Sequence, residues 1–185
     1  MKEGRLFVIS GASGVGKSTV LKRVMEQRKD LAFSVSATTR APRPGEVDGE
    51  SYYFVTKEQF EAMIARGEFL EYDAHMANYY GTPAAQAEEK MKKGSVILDI
   101  EPNGAFNVRK AMPDAVLIFI APPSLEELQR RLASRGDTSV EQIKLRIERS
   151  AWEMEQSKKY DYVVINDQVE TCAEEILKII AEKAD

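Results

Sequence analysis

The sequence predicts an α/β fold: a parallel sheet flanked by helices, with an inserted β-rich lobe and a helical lid. Three observations carry that expectation. Short, continuously apolar runs at Leu6 to Ile9, Val96 to Ile100, Val116 to Ile120 and Tyr162 to Ile165 suit strands buried on both faces. Amphipathic segments alternate with them, as crossover helices do in a parallel sheet. The stretch from about Phe33 to Thr82 interrupts this alternation with prolines, glycines and period-two patterning. At 185 residues the chain suits one compact domain carrying an insertion. We place the core at residues 1–33, 83–123 and 158–185, the lobe at 34–82 and the lid region at 124–157.

Taken in order, Leu6 to Ile9 opens the sheet, and a glycine-rich turn leads into a helix with Val20, Leu21 and Val24 on one face. In the lobe, Pro42, Pro44, Gly45 and Gly49 mark a loop, and the alternating Ser51-Tyr52-Tyr53-Phe54-Val55 marks a strand. A short helix has Phe60, Met63 and Ile64 on one side, and Glu68 to Tyr72 reads as a further strand. Pro83 suits a first helical residue, and Gly94 suits that helix's stop. Ser124 and Glu127 form a capping box before the stripe Leu125, Leu128 and Leu132. Ser139 and Gln142 form another before Val140, Ile143 and Ile147. Ala173, Ile176, Leu177 and Ile180 give the last helix its apolar face.

Composition narrows the function. A net charge of −4 argues against nucleic-acid and membrane-surface partners, so a site for an anionic ligand must be built locally. Cys172 is the only cysteine, which excludes an intrachain disulfide and a cysteine-rich zinc site; we read it as core. His75 is the only histidine and reads as an exposed loop residue, while Trp152 and the methionines read as packing. The longest apolar run, Ala115 to Ala121, is far short of a membrane span. These features fit a reduced, cytoplasmic protein, with monomer and homodimer both open.

The chemistry starts at Gly11-Ala12-Ser13-Gly14-Val15-Gly16-Lys17-Ser18, a full match to G-x-x-x-x-G-K-[ST] between a strand pattern and a helix pattern. Glycines let backbone N–H groups turn onto phosphate oxygens, and the helix N-terminus adds positive potential. Lys17 then bridges the β- and γ-phosphates of a nucleoside triphosphate, and the Ser18 hydroxyl ligates Mg²⁺. Val96 to Ile100 leads to Asp99 and Glu101; such an acid either holds Mg²⁺ or caps the following helix, and spacing leaves both readings open. No Asn-Lys-x-Asp base-reading tetrapeptide occurs, which sets regulatory GTPases aside in favour of a small-molecule kinase.

Arg40 and Arg43 lie three apart in the proline-stiffened loop Ser34 to Glu46. Their planar forks suit a dianionic phosphate, and Tyr52 and Tyr80 can add hydroxyls. Together with Gly11 to Thr19, the segments Ser36 to Arg43, Gly45 to Gly49, Asn78 to Thr82, Ile120 to Ser124 and Val164 to Asp167 resemble guanylate kinase, in order over essentially the whole chain.

The resemblance implies a P-loop NTPase-type core with an inserted GMP-binding lobe and a mobile lid, and the reaction ATP + GMP ⇌ ADP + GDP, with dGMP as a further acceptor and Mg²⁺ beside ATP. It implies ATP contacts from Gly11 through Thr19, Arg135, Asn166 and Asp167. It assigns the GMP phosphate to Arg40, Arg43, Tyr52 and Tyr80, and the guanosine end to Ser36, Glu71, Thr82, Asp99 and Glu101. Lys17, Arg131, Arg135 and Arg146 become the catalytic cations, and Ser18 and Asp99 the metal-side residues. Arg149 has no assignment and reads as surface. Guanine offers N1–H and N2–H₂ donors on one edge, so an acceptor-only carboxylate such as Glu71 favours it over adenine.

This sequence departs from the family pattern at Ala12, where proline is frequent, and at Glu101 and Asn103, where aspartate and glutamine are common. Gly136-Asp137 replaces glycine-threonine at the lid turn. Two alternatives remain beside the leading reading: a non-catalytic guanylate-kinase-like binding module, and a P-loop kinase for another phosphate monoester.

Overall fold

The computed structural model describes residues 4–75, 77–134 and 139–184. In chain order the elements are β1 (Leu6–Gly11), α1 (Lys17–Gln27), β2 (Ala32–Phe33), β3 (Ala37–Thr38), β4 (Tyr53–Phe54), α2 (Lys57–Ala65), β5 (Phe69–His75), β6 (Asn78–Pro83) and α3 (Ala84–Met91). There follow β7 (Val96–Asp99), α4 (Pro102–Ala111), β8 (Val116–Ala121), α5 (Leu125–Ser134), α6 (Val140–Gln156), a 3-10 turn at Ser157–Lys159, β9 (Tyr162–Ile165) and α7 (Val169–Ala184). Two compact units form, one from residues 7–29 and 116–185, the other from residues 1–6 and 30–115.

In the first of these, β8 pairs in parallel with β1 and with β9, in registers such as Ile9↔Ile118 and Ile120↔Val164. Every residue of β1 and β8 is buried, as continuous apolar runs require when helices cover both faces. Fully buried side chains such as Phe7, Ile118 and Phe119 each contribute about 1.5–3 kcal/mol by leaving water. β9 departs from expectation. As the edge of this unit's strands it leaves Val163 and Ile165 half-exposed. Helix α7 turns Cys172, Ala173, Ile176, Ile179 and Ile180 inward, and α5 turns Leu128 and Leu132 inward.

Helix α6 carries its Ser139/Gln142 capping box, but its apolar stripe is not its buried face. Val140 is 84% exposed and Leu145 is exposed, and Trp152, read as packing, is partly open to solvent. The fully buried positions of α6 are the polar Ser150 and Glu153.

In the second unit β2 pairs in parallel with β7, and a separate four-stranded sheet has the order β4-β3-β6-β5. This sheet is the β-rich addition expected between Phe33 and Thr82, although its strand at Tyr53–Phe54 is shorter than the alternation around it. The β6 strand was not marked by alternation; it forms because Asn78–Pro83 pairs antiparallel with both β3 and β5. Phe60 of α2 stacks on Phe69 and Tyr79, with ring centroids 4.4 and 5.2 Å away, and so fastens the helix to that sheet. Pro83 stands at the N-cap of α3 rather than at its first helical position. His75 ends β5 instead of lying in a loop.

Candidate functional site

The glycine loop closes the turn from β1 to α1. Gly14 and Gly16 take φ of 84° and 91°, a left-handed backbone that only glycine adopts without strain. Gly16 is the N-cap of α1, Lys17 opens the helix half-buried, and Ser18 and Thr19 follow on exposed positions. Ala12 is buried and its N–H donates to Ile120 O at 3.1 Å, a bond that a proline there could not make.

Polar side chains hold this loop. The Ser13 N–H donates to Glu153 Oε2 at 2.7 Å, and Arg149 Nε donates to Glu153 Oε1 at 2.8 Å. Asn166 Nδ2 donates to the Val15 carbonyl at 2.8 Å. Arg149 is therefore no surface residue: it is half-buried against a glutamate that is 1% exposed. Two signals could have found this pair, the i,i+4 spacing of Arg149 and Glu153 and the mid-helical Ser150 beside them.

Among the expected cations, Arg131 donates from Nε to Glu127 Oε1 at 2.8 Å and from Nη1 to the Asn166 carbonyl at 2.8 Å. Nη2 reaches the Asp167 carbonyl at 3.3 Å. Arg130 and Arg131 together hold the Glu127 carboxyl down at about 2. Arg131, Asn166, Asp167 and the glycine loop thus gather in one place. Arg146 is exposed on α6, one turn before Ser150. Arg135, with Gly136 and Asp137, lies outside the described residues.

In the other unit Arg40 has both fork nitrogens on Glu46, at 2.8 Å to Oε1 and 3.0 Å to Oε2. Its guanidinium lies 5.4 Å from the Tyr52 ring centroid, and Tyr52 meets Tyr80 edge-on at 6.1 Å. Glu46, together with a hydrogen bond to Tyr80, raises the Arg40 pKa, while Arg40 and the Arg43 N–H lower that of Glu46. Arg40, Tyr52 and Tyr80 therefore lie together. Arg43 is exposed and joins through its N–H to Glu46 Oε2 at 2.7 Å. Sequence reasoning missed Glu46; an acid three residues after Arg43, within the same stiff loop, was its signal.

Glu71 sits on β5 opposite Thr82 of β6 and is 6% exposed. Its Oε1 accepts the Thr82 hydroxyl proton at 2.7 Å. Burial pushes its pKa up to about 7, against the lowering effect of that hydrogen bond. Gly104 of α4 makes room for it, since a Cβ there would stand 2.7 Å from Glu71 Oε2. Ser36 is buried just before β3, and its carbonyl accepts the Tyr53 N–H at 2.9 Å. Asp99 ends β7, half-buried; Glu101 takes the N-cap position of α4 without a side-chain capping bond, which weakens the capping reading of that acid.

Among the described residues no group of three or more His, Cys, Asp or Glu is placed to hold a metal ion. The hydroxyl of Ser18 and the carboxylate of Asp99 are hard oxygen donors. Each taken by itself is of the kind that Mg²⁺ accepts, a cation that keeps several waters and takes few protein ligands. No helix among the described residues is long and apolar enough to cross a membrane.

Residues 3–183 match the family model described as guanylate kinase. A guanylate kinase of Thermus thermophilus is 50% identical over 178 residues, spanning 96% of this chain and 80% of the relative. One from Lactococcus lactis is 47% identical over 180 residues, spanning 97% and 88%. The crystal structure of guanylate kinase from Anaplasma phagocytophilum superposes with a TM-score of 0.82 at 34% identity, covering 100% of this chain and 88% of that one.

Proposed function

The chain belongs to the guanylate kinase family, and on that premise we propose that it transfers the γ-phosphoryl group of ATP in line to GMP and to dGMP, with Mg²⁺ bound. It is a phosphotransferase, and ATP-dependent phosphorylation of GMP is the activity that membership carries. The observation that carries the guanine reading is the buried Glu71 held by Thr82, whose ionised form only accepts and so suits the donor edge of guanine.

In this reading the glycine loop from Gly11 to Thr19 binds the ATP phosphates, Asn166 and Asp167 stand toward the nucleoside, and residues 34–82 form the acceptor lobe. Arg40, Arg43, Tyr52 and Tyr80 hold the GMP phosphate, and Glu71, Ser36, Thr82, Asp99 and Glu101 hold guanosine. The acceptor oxygen is already anionic near neutral pH, so no strong general base is needed. The protein's work is to hold two polyanions in line and to offset charge spreading over the transferring group. Lys17, Arg131, Arg135 and Arg146 supply that positive charge. Ser18 and Asp99 would be the residues that hold Mg²⁺, which would supply charge neutralisation at the ATP phosphates. We place the reaction in the cytoplasm, in purine nucleotide metabolism.

Transfer from ATP made chiral at the γ-phosphorus tests the in-line step. Inversion at phosphorus, with EDTA stopping turnover and dGMP accepted, is expected. Retention points instead to a phospho-enzyme and removes the direct step.

A further inference from the structure

We propose that Glu153 and Ser150 of α6, with Asn166 after β9, are positioning residues that aim the peptide planes of the glycine loop, Glu153 being the principal one. The proposal rests on the reading that Gly11 to Ser18 holds the ATP phosphates.

A trans peptide is planar, and its N–H points opposite to its C=O. No peptide bond among the described residues is cis. A side chain that holds the Ser13 carbonyl therefore aims the Gly14 N–H the other way, and one that holds the Val15 carbonyl does the same for the Gly16 N–H. Ser150 Oγ lies 3.1 Å from the Ser13 carbonyl and 2.8 Å from that of Arg146, its one proton shared between them. Asn166 Nδ2 holds the Val15 carbonyl at 2.8 Å. The plane between Ala12 and Ser13 is held from both sides: the Ser13 N–H donates to Glu153 at 2.7 Å, and the Ala12 carbonyl accepts the Val15 N–H at 3.0 Å. Three planes of the loop are thus fixed, two of them by α6 groups with no assigned nucleotide contact and the third by Asn166, which also stands toward the nucleoside in the proposed reading.

Glu153 leads because its bond to the half-buried Ser13 is charge-assisted and comes from a carboxylate that is itself buried. Arg149 at 2.8 Å offsets the buried charge. The positions that α6 buries fully are polar, Ser150 and Glu153, so this side of the helix serves direction more than packing. Donors already aimed at the phosphates spare ATP the cost of ordering them. Loss of the strut should therefore fall on ATP and not on GMP.

The test is steady-state kinetics with ATP and GMP varied separately, beside melting curves of the nucleotide-free proteins. Glu153→Ala is expected to raise the ATP KM about tenfold or more while the GMP KM stays within about twofold. The double variant Glu153→Gln with Arg149→Met keeps an acceptor for the Ser13 N–H and leaves no buried charge unpaired; it should return the ATP KM to within about threefold of wild type. An unchanged ATP KM in Glu153→Ala, an equal rise for both substrates, or a double variant as impaired as Glu153→Ala overturns the proposal. Where Glu153→Ala does not fold, Ser150→Ala decides. A rise of about threefold in ATP KM alone supports the proposal, and no change overturns it. Lys17→Ala separates the two levels. Unchanged turnover there removes the phosphate reading and this proposal with it. Lost turnover with an unmoved ATP KM in Glu153→Ala leaves the reading standing and the proposal refuted.

Discussion

Two glutamates buried in the two units show how differently each half of the chemistry is built. Glu153 is charge-paired with Arg149 and spends its second oxygen on a loop N–H. Glu71 has a neutral hydroxyl, Thr82, as its partner, and its carboxyl is pushed up to about 7. On the proposed reading the phosphate loop recognises through backbone N–H groups, with Lys17 beside them and other side chains behind, while the acceptor region recognises through side chains, one of them the buried Glu71. The comparison teaches that, on this reading, phosphate is met by backbone N–H groups together with exposed or half-buried cations, whereas telling guanine from adenine takes a side chain kept away from water.

The largest effect expected tests the loop. Lys17→Ala should lower kcat/KM by about 10³-fold, roughly 4 kcal/mol of transition-state stabilisation, without lowering the melting temperature. A variant that keeps near-wild-type turnover would break the comparison on the donor side.

Next comes the buried acid. Glu71→Gln should raise the GMP KM by about 10²-fold and leave the ATP KM unmoved, since the amide oxygen can accept from only one of guanine's two donors at good geometry. The same variant should be more stable than wild type in alkaline buffer. Glu71's folded pKa, about 7, lies above its ordinary 4.5. Between those values the folded state keeps a proton that the unfolded state has released. Stability therefore falls as pH rises through that window, by up to roughly 3 kcal/mol. Melting curves of both proteins across that range check this: the slope should flatten in Glu71→Gln.

How much of this was legible beforehand follows from the same contrast. The loop was readable because its eight residues are contiguous and their spacing is itself the chemistry. The acceptor residues run from Ser36 to Glu101; Arg40, Arg43, Tyr52 and Tyr80 were readable from their own chemistry, and only the family resemblance gathered the rest. Glu71 taken alone reads as a solvent-side strand residue; a tertiary contact, the approach of Gly104 on α4, buries it. The buried parallel strands were plain from their apolar runs, but β9 was overcalled because a sequence does not say which strand ends a sheet. Glu153 and Arg149 stayed hidden because the pattern of α6 advertised its apolar stripe, while its buried side is polar. Glu46 hid for a similar reason, as an acid among loop residues that reads as solvated.

Two smaller effects sharpen the acceptor side. Binding of GMP should strengthen as pH rises toward about 7 and level off above it, because the carboxylate form of Glu71 is the one that accepts guanine's protons. Direct titration of GMP against pH checks this: the phosphate's own second ionisation at about 6 stays in both proteins, and loss of the further step at about 7 in Glu71→Gln assigns that step. Glu46→Ala should raise the GMP KM only about fivefold, since a partly exposed ion pair contributes little beyond orienting Arg40. The ATP KM in that variant should not change.

The central claim is that the buried carboxylate of Glu71 selects a guanine nucleotide as the acceptor of phosphate from ATP. ADP release in a coupled assay with GMP, dGMP, AMP, CMP and UMP offered singly tests it most directly. The expected result is turnover with GMP and dGMP, and kcat/KM lower by roughly 10⁴-fold for the others. Comparable turnover with AMP, or none with GMP, would contradict it.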